Sequence, residues 1–340
     1  MHHIFHHVKI DAIKGLIGKE SLSVTDLGSI FKIPEKKLNR IIRTNGFESL
    51  SIIPNTLSIG DLAVFTSRSL LQEIGFDVTK IDALIMVTQV PDYMIPPTSF
   101  TVQQRIDIRS SASLFDIVQG CPGYVNGLLM ASCMIESGAY KHVLLCAGEV
   151  SSRIYNKNSE SMESSLDAGD GFSATLLSYS EDLSDMEFYV SSDGNFFNTV
   201  IDYGYGNKAG RCPDNNSSKG FCIDGNSYNK YVLDNVSSVI KNFLNESTFA
   251  DFGVCVAQQS SASIIKALSC MLNSPNNWIP FTAKQIGNLS SASIPLALSE
   301  LKGQLDLSKK ILFAGFGVGL ATSVCSCSLS QTKILPVLRV

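Results

Sequence analysis

Phe115-Asp-Ile-Val-Gln-Gly-Cys-Pro-Gly-Tyr124 and the run from Val125 to Ser137, rich in small residues, read as a short apolar strand, a Gly-Cys-Pro-Gly turn and a helix. This reading puts Cys121 at the first turn of that helix. Backbone N–H groups at a helix start lack intrahelical partners and the helix dipole is positive there, so a thiolate is stabilised and its pKa is lowered. At this point Cys121 is open to two readings, a presented nucleophile or a buried structural thiol. The proline and two glycines that flank it favour presentation.

Working outward, strands and helices alternate. Before the Cys121 unit come a first strand, a helix with Ser23 or Thr25 as its cap, and a short helix within Ile33 to Gly46. An amphipathic helix follows from Ser58 to Gly75, with Leu62, Phe65, Leu70 and Leu71 on its apolar side. Then come a buried strand at Ala83 to Thr88, a proline-punctuated loop, and a helix ending near Ile106. After the Cys121 unit, Val143 to Glu149 is a strand, Asp167-Ala-Gly-Asp-Gly171 a tight turn, and Phe172 to Tyr179 a strand. The pattern predicts an α/β protein whose sheet is covered on both faces.

The second half replays this order. Phe252 to Ser261 with the helix Ala262 to Met271 repeats residues 115 to 137, Ile311 to Gly319 matches 143 to 149, and Ala321 to Leu329 matches 172 to 179. Two similar halves, 1–180 and 181–340, would set two sheets together with their loops converging on one site.

With 44% hydrophobic and 17% charged residues and a net charge of −4, the 340-residue chain is soluble globular material. The mild acidity, with no basic run interleaved with aromatics, argues against nucleic acid as a partner. No apolar run is long enough to span a membrane, and the N-terminus lacks a signal-peptide layout, so a cytoplasmic location is expected. Cysteines stand at 121, 133, 146, 212, 222, 255, 270, 325 and 327, mostly in apolar stretches, which suits reduced thiols better than a disulfide framework. Cys325 and Cys327 would share one side of a strand. No second pair joins them at metal-binding spacing, and His2, His3, His6 and His7 read as an exposed N-terminal strand, so no metal site is expected.

Lys36, Lys37, Arg40 and Arg43 lie on the short helix that ends at Gly46. They read either as a solvated face or as a receptor for an acidic partner or a phosphate. Gly315, Gly317 and Gly319 hint at a dinucleotide loop, but too little chain follows for the rest of a Rossmann half, and a close backbone approach is the better reading.

Four segments in order resemble the β-ketoacyl-acyl carrier protein synthase III family of the thiolase superfamily, and the resemblance runs over essentially the whole chain. Phe115 to Tyr124 is similar to its nucleophile segment, Gly169-Asp-Gly171 to its Gly-Asp-Gly turn, Ile286-Gly-Asn-Leu-Ser-Ser-Ala-Ser-Ile-Pro295 to its Gly-Asn-(Thr/Leu)-Ser-x-Ala-Ser-(Val/Ile)-Pro segment, and Gly315 to Leu320 to its glycine-rich C-terminal loop. The resemblance implies a five-layered αβαβα thiolase-like fold and a homodimer. It implies that Cys121 is acylated by a thioester, with its own N–H and that of Gly319 as oxyanion hole, and that Asn288 donates a hydrogen bond to the carbonyl of a malonyl-type thioester. No tightly bound cofactor is implied; the thioester would be carried on phosphopantetheine, by acyl carrier protein or coenzyme A. The basic face of Lys36, Lys37, Arg40 and Arg43 would then suit an acidic carrier protein. Family members that bind coenzyme A commonly have a tryptophan there to hold the adenine, and this chain's only tryptophan is Trp278.

One departure matters. The family's catalytic histidine opens a His-Gln-Ala-Asn segment, and the aligned residues here are Gln258-Gln-Ser-Ser261. A glutamine amide offers N–H groups to a thioester oxygen but does not titrate. Losing a general base typically costs about 10²–10⁴ in rate. His142, at the start of a strand, is expected at the opposite end from the site, and Glu149 is expected at the surface or in a dimer contact unless it acts as a base. Three functions are open: a decarboxylating condensing enzyme using Cys121, Gln258 and Asn288; an acyltransferase passing the Cys121 acyl group to an oxygen, nitrogen or sulfur acceptor; and a non-catalytic heterodimer partner.

Overall fold

The computed structural model describes residues 1–153, 164–204, 221–245 and 247–340; Cys212 lies outside them. In chain order the elements are β1 (His2–Phe5), β2 (Val8–Ile17), β3 (Glu20–Ser23), α1 (Val24–Ile30), α2 (Glu35–Asn45), β4 (Ser49–Ile52), α3 (Ile59–Ile74), β5 (Ala83–Val87), α4 (Thr98–Ile106), β6 (Ser113–Ile117), α5 (Gly123–Glu136), β7 (His142–Val150) and β8 (Asp170–Tyr179). There follow β9 (Met186–Ser192), β10 (Val200–Asp202), β11 (Phe221–Ile223), α6 (Gly225–Tyr231), α7 (Ser237–Leu244), β12 (Phe252–Ala257), α8 (Ala262–Leu272), α9 (Ser293–Leu301), β13 (Lys310–Gly317), β14 (Ala321–Ser328), β15 (Lys333–Ile334) and β16 (Leu338–Arg339).

Local signals act where the sequence places them. Ser23 caps α1 by accepting from the N–H groups of Thr25 and Asp26, and Ser58 closes a capping box with Asp61 at the start of α3. Gly46 and Gly75 end α2 and α3 in the left-handed conformation. Phe65 departs from expectation: on α3 it is 37% exposed, while Leu62, Leu70 and Leu71 pack into the core.

Two sheets carry the fold, ordered β15-β2-β8-β7-β5-β6 (with β16 also on β2) and β1-β9-β14-β13-β12. The strands are apolar along nearly their whole length because both faces are covered. Between the sheets lies a core to which α5 contributes Tyr124, Val125, Leu128, Ala131 and Ile135, and α9 contributes Ile294, Ala297, Leu298 and Leu301. Outside the first sheet α3 and α4 bury Leu62, Leu70, Val102 and Ile106. Outside the second, α7 and α8 bury Ile240, Phe243, Ile265 and Leu268. The result is the expected five-layered αβαβα thiolase-like architecture. Cys325 and Cys327 do share the inner face of β14, and no disulfide joins the described cysteines.

The internal repeat is present in a different register from the one predicted. β12 runs parallel to and directly beside β13, as β5 does beside β7, while β6 lies outside β5. The counterpart of β12 is therefore β5, and the second central helix matching α5 is α9, not α8. A short apolar strand followed by a helix recurs among the described residues, as at β5–α4, β6–α5 and β12–α8, so pattern alone could not tell which pair corresponds.

Candidate active site

Cys121 sits one residue before the helix cap. Pro122 is the N-cap residue of α5, and the N–H of Gly123 turns back to the carbonyl of Gly120 at 2.6 Å. From β13 the glycine loop lies directly on the thiol. A Cβ on Gly317 would stand 2.8 Å from Cys121 Cβ and 3.1 Å from Sγ, and its φ of 152° also favours glycine. Ser290 Oγ lies 3.7 Å from Sγ, and the Val318 backbone acts to favour the thiolate. Gly319 follows in the same loop with φ 137°.

The thiol is not the activated thiolate that the helix start suggested. Burial pushes the Cys121 thiol up to about 11, the Ser290 hydroxyl partly offsets this, and the charge of Glu149 adds to it. The desolvation of a sulfur under the glycine loop outweighs the end of a helix whose first turn it precedes.

Asn288 is carried by a backbone bridge to the Gly-Asp-Gly turn. Its N–H donates to Asp167 O at 2.8 Å, and Gly169 N–H donates to Asn288 O at 3.1 Å. Asp170 in that turn is fully buried and accepts from the N–H groups of Ile53 and Ser152 and from the Ser152 hydroxyl. The turn is thus a bracket that ties β4 and residue 152 to the Asn288 loop. Asn288 Oδ1 accepts from Ser290 N–H at 3.0 Å, from Gln258 Nε2 at 2.9 Å and from Ser293 Oγ at 3.4 Å. Gln258 Nε2 also donates to Ser293 Oγ at 3.2 Å. Cys121, Ser290, Asn288 and Gln258 therefore form one connected cluster, drawn from the ends of β6 and β12 and the loop before α9. The expectation that Gln258 offers its N–H groups to a thioester oxygen does not hold in this arrangement, because Nε2 is engaged by its neighbours.

Glu149 is wholly buried at the end of β7, against the expectation of a surface role. Its carboxyl accepts from Gln89 N–H at 3.0 and 3.1 Å, from Thr88 Oγ1 at 3.1 Å and from Ser291 Oγ at 3.4 Å. Burial raises its pKa to about 8, with those hydrogen bonds opposing the rise. A carboxyl whose folded pKa is raised contributes stability that is fully present below its unfolded pKa and is lost as pH climbs through the folded value. The protein should therefore lose stability across about pH 4.5 to 8 at roughly 1.4 kcal/mol per pH unit from this group alone. Urea melts of Glu149→Gln should lack that contribution to the slope. A variant with the wild-type slope would place the titration elsewhere.

Lys36, Lys37, Arg40 and Arg43 are exposed on α2, where Glu35, Lys36, Asn39, Arg40 and Arg43 line a cavity of about 540 Å³. The far end of this helix packs against the site: Asn45 Nδ2 donates to Asp167, and Gly46 abuts Ala262, just after the Gln258 segment. Trp278 is buried against Phe249 and is not on this face. His142 stands at the start of β7, against Phe76, at the other end of the strand from Glu149. His2 and His6 pair with Glu187 and Asp185 at the edge of the second sheet.

Sequence reasoning missed Ser290, Ser293 and Tyr228. The two serines lie inside the Gly-Asn-Leu-Ser-Ser segment and were readable as polar residues next to Asn288. Tyr228, on α6, has its pKa raised by burial and, to a lesser degree, by its nearness to Cys121, and nothing in its local pattern marks it.

Comparisons with known proteins point to one family. Residues 115–194 match the family model of 3-oxoacyl-[acyl-carrier-protein] synthase III, and residues 245–328 match the model of its C-terminal part. The first contains Cys121, the second Gln258, Asn288 and Gly319. The β-ketoacyl-[acyl-carrier-protein] synthase III of Streptococcus pyogenes serotype M6 is 29% identical over 321 residues, 92% of this chain and 96% of that protein. That of Neisseria meningitidis serogroup C serotype 2a is 28% identical over 287 residues, 83% and 87% of the two chains. The crystal structure of a 3-oxoacyl-(acyl-carrier protein) synthase from Burkholderia xenovorans LB400 superposes with a TM-score of 0.93 over 100% of this chain and 99% of that one, at 22% identity. Together the matches show similarity to the 3-oxoacyl-[acyl-carrier-protein] synthase III family along most of the chain.

Proposed function

We propose that this chain, as a member of that family, is an acyltransferase that takes an acyl group from a thioester onto Cys121. The observation that carries the reading is the seating of the Cys121 thiol beneath Gly317, with the Val318 backbone and the Ser290 hydroxyl at the sulfur. The thiol is neutral in the free protein, so its proton passes to the departing carrier thiolate as the new thioester forms. The N–H groups of Cys121 and Gly319 would hold the oxyanion. The carrier is phosphopantetheine on acyl carrier protein or coenzyme A, received at the basic face of Lys36, Lys37, Arg40 and Arg43. The halves 1–180 and 181–340 would each supply part of the site, in a homodimer.

Two second steps follow from acyl-Cys121. Decarboxylative condensation with a malonyl-type thioester is the step that the relatives' names suggest, with Asn288 as donor to the thioester carbonyl. Transfer to an oxygen, nitrogen or sulfur acceptor is favoured by Gln258, which would stand where the family has its histidine: it does not titrate, and its Nε2 is already engaged by Asn288 and Ser293.

Incubation with acyl thioesters of coenzyme A and of acyl carrier protein, followed by mass spectrometry, should find one acyl group on Cys121. Labelled malonyl thioester added next separates the two second steps by release of CO2. Absence of the adduct with every donor would leave a non-catalytic partner as the better account.

A further inference from the structure

Asn126 is out of keeping with its place on α5. It shares one face of the helix with Leu129, Met130 and Cys133, at helical spacing, and those three are apolar. Asparagine is a poor helix former, and a half-buried amide needs partners, so local preference does not account for it. Its tertiary bonds do. Asn126 Nδ2 donates to Gln119 Oε1 at 2.7 Å, and Asn126 Oδ1 accepts from the Ser323 hydroxyl at 2.5 Å.

These two bonds enclose the segment that carries the nucleophile. Gln119 precedes Cys121 and Asn126 follows it, so the amide pair ties together the two ends of the Gly-Cys-Pro-Gly turn. Ser323 comes from β14, where it is paired with Gly315 of β13. That pair of strands comes close to the turn: a Cβ on Gly315 would stand 3.0 Å from Pro122 Cα and 3.5 Å from Cys121 O. The bare backbone of Gly315 lets the second sheet approach, and Ser323 fixes it there through Asn126. Further along, the same β13 leads into Gly317, against the sulfur, and then into Gly319.

We infer that Asn126 is a positioning residue for acyl transfer to Cys121: bonded to Gln119 on one side and Ser323 on the other, it fixes the sulfur relative to the glycine loop after β13. This inference rests on the reading of Cys121 as acyl acceptor. The amide bonds of Asn126 go to Gln119 and Ser323 and not to the sulfur, so it acts through the turn. Acyl transfer is sensitive to such a hold. The sulfur must attack so that the carbonyl oxygen falls between the N–H groups proposed to receive it, and a misplacement of about 1 Å costs about 10² in rate. Alkylation of the same sulfur by a small haloacetamide forms no oxyanion and is not bound to that geometry. Two reactions of one thiol therefore separate its position from its reactivity.

The test compares wild type with Asn126→Leu, which keeps the side-chain volume and removes both bonds. Each is incubated with acetyl- and octanoyl-coenzyme A, and separately with iodoacetamide, at mildly alkaline pH, and peptide mapping reads Cys121 alone. Acylation of Cys121 should slow by about tenfold or more in the variant, in the maximal rate and not in the donor concentration at half-maximum, while alkylation keeps its wild-type rate. Ser323→Ala breaks the connection from the other side and should do the same, and it carries the test alone should Asn126→Leu fail to fold. The double variant should lose little more than the worse single one, because the two residues hold one connection. Acylation at the wild-type rate, equal slowing of acylation and alkylation, or fully additive losses overturns the inference while leaving acyl-Cys121 standing. Failure of wild-type Cys121 to load from either thioester overturns the parent reading and this one with it.

Discussion

Cys121→Ala should take up no acyl group at that site from any thioester, while the protein stays folded. Cys121 is half-buried and its side chain makes no ion pair among the described residues, so its truncation should change unfolding free energy by less than about 1.5 kcal/mol. Loss of the nucleophile removes the covalent step altogether. The remaining thiols give an internal control, since Cys133 and Cys270 are exposed and would report any indiscriminate acylation. Peptide mapping after incubation with acyl-coenzyme A therefore separates a chosen nucleophile from a merely reactive one. Equal labelling of the variant and the wild type would remove Cys121 from its proposed role.

The second large effect is expected far from the sulfur. In Gly169→Ala the new methyl group would meet Ile286 O at 2.0 Å and Leu289 Cδ2 at 2.9 Å. The first is a backbone atom that cannot rotate away, so the turn and the Asn288 loop must part, and the Gly169 N–H to Asn288 O bond is lost with them. The expected destabilisation is roughly 3–4 kcal/mol, combining overpacking with a broken buried hydrogen bond. Because Asn288 is carried on that loop, a shift of about 1 Å should also slow the second step by about 10². Gly194→Ala is the matched control: nothing lies within 4 Å of its added methyl, and its stability should stay within about 0.5 kcal/mol of wild type. Denaturant melts of the pair check the first part, and single-turnover discharge of acyl-Cys121 checks the second. A Gly169 variant as stable as the Gly194 variant would mean that the turn does not hold the loop.

Much of the fold was legible because its signals are local. Ser58 and Gly75 bound α3, Gly46 ends α2, and the all-apolar strands announce a sheet covered on both faces. The candidate site residues were legible as segments for the same reason: Gly-Cys-Pro-Gly is a turn wherever it occurs, and Gly-Asn-Leu-Ser-Ser precedes a helix. The repeat was seen with two of its strand pairs in place, β13 with β7 and β14 with β8, but β12 was matched to β6 and not to β5, because strand neighbours are settled by hydrogen bonds between distant stretches. The burial of Glu149 was missed for a related reason: its position at the end of an apolar strand is local, but the Gln89 and Ser291 groups that enclose it arrive from elsewhere.

By itself, then, the sequence determined the alternation of elements, their caps, the class of the fold and the presence of a cysteine in a turn before a helix. Each of these depends on interactions within a few residues, which travel with the segment. Only the tertiary structure decided the chemistry of that cysteine. Its thiol is raised, not lowered, because β13 lays Gly317 over the sulfur and Glu149 lies near it, and both come from remote parts of the chain. The face that Gln258 shows was decided the same way, by the Ser290 N–H acting through Asn288. Desolvation and the orientation of an amide are properties of surroundings, and no stretch of sequence carries its surroundings with it.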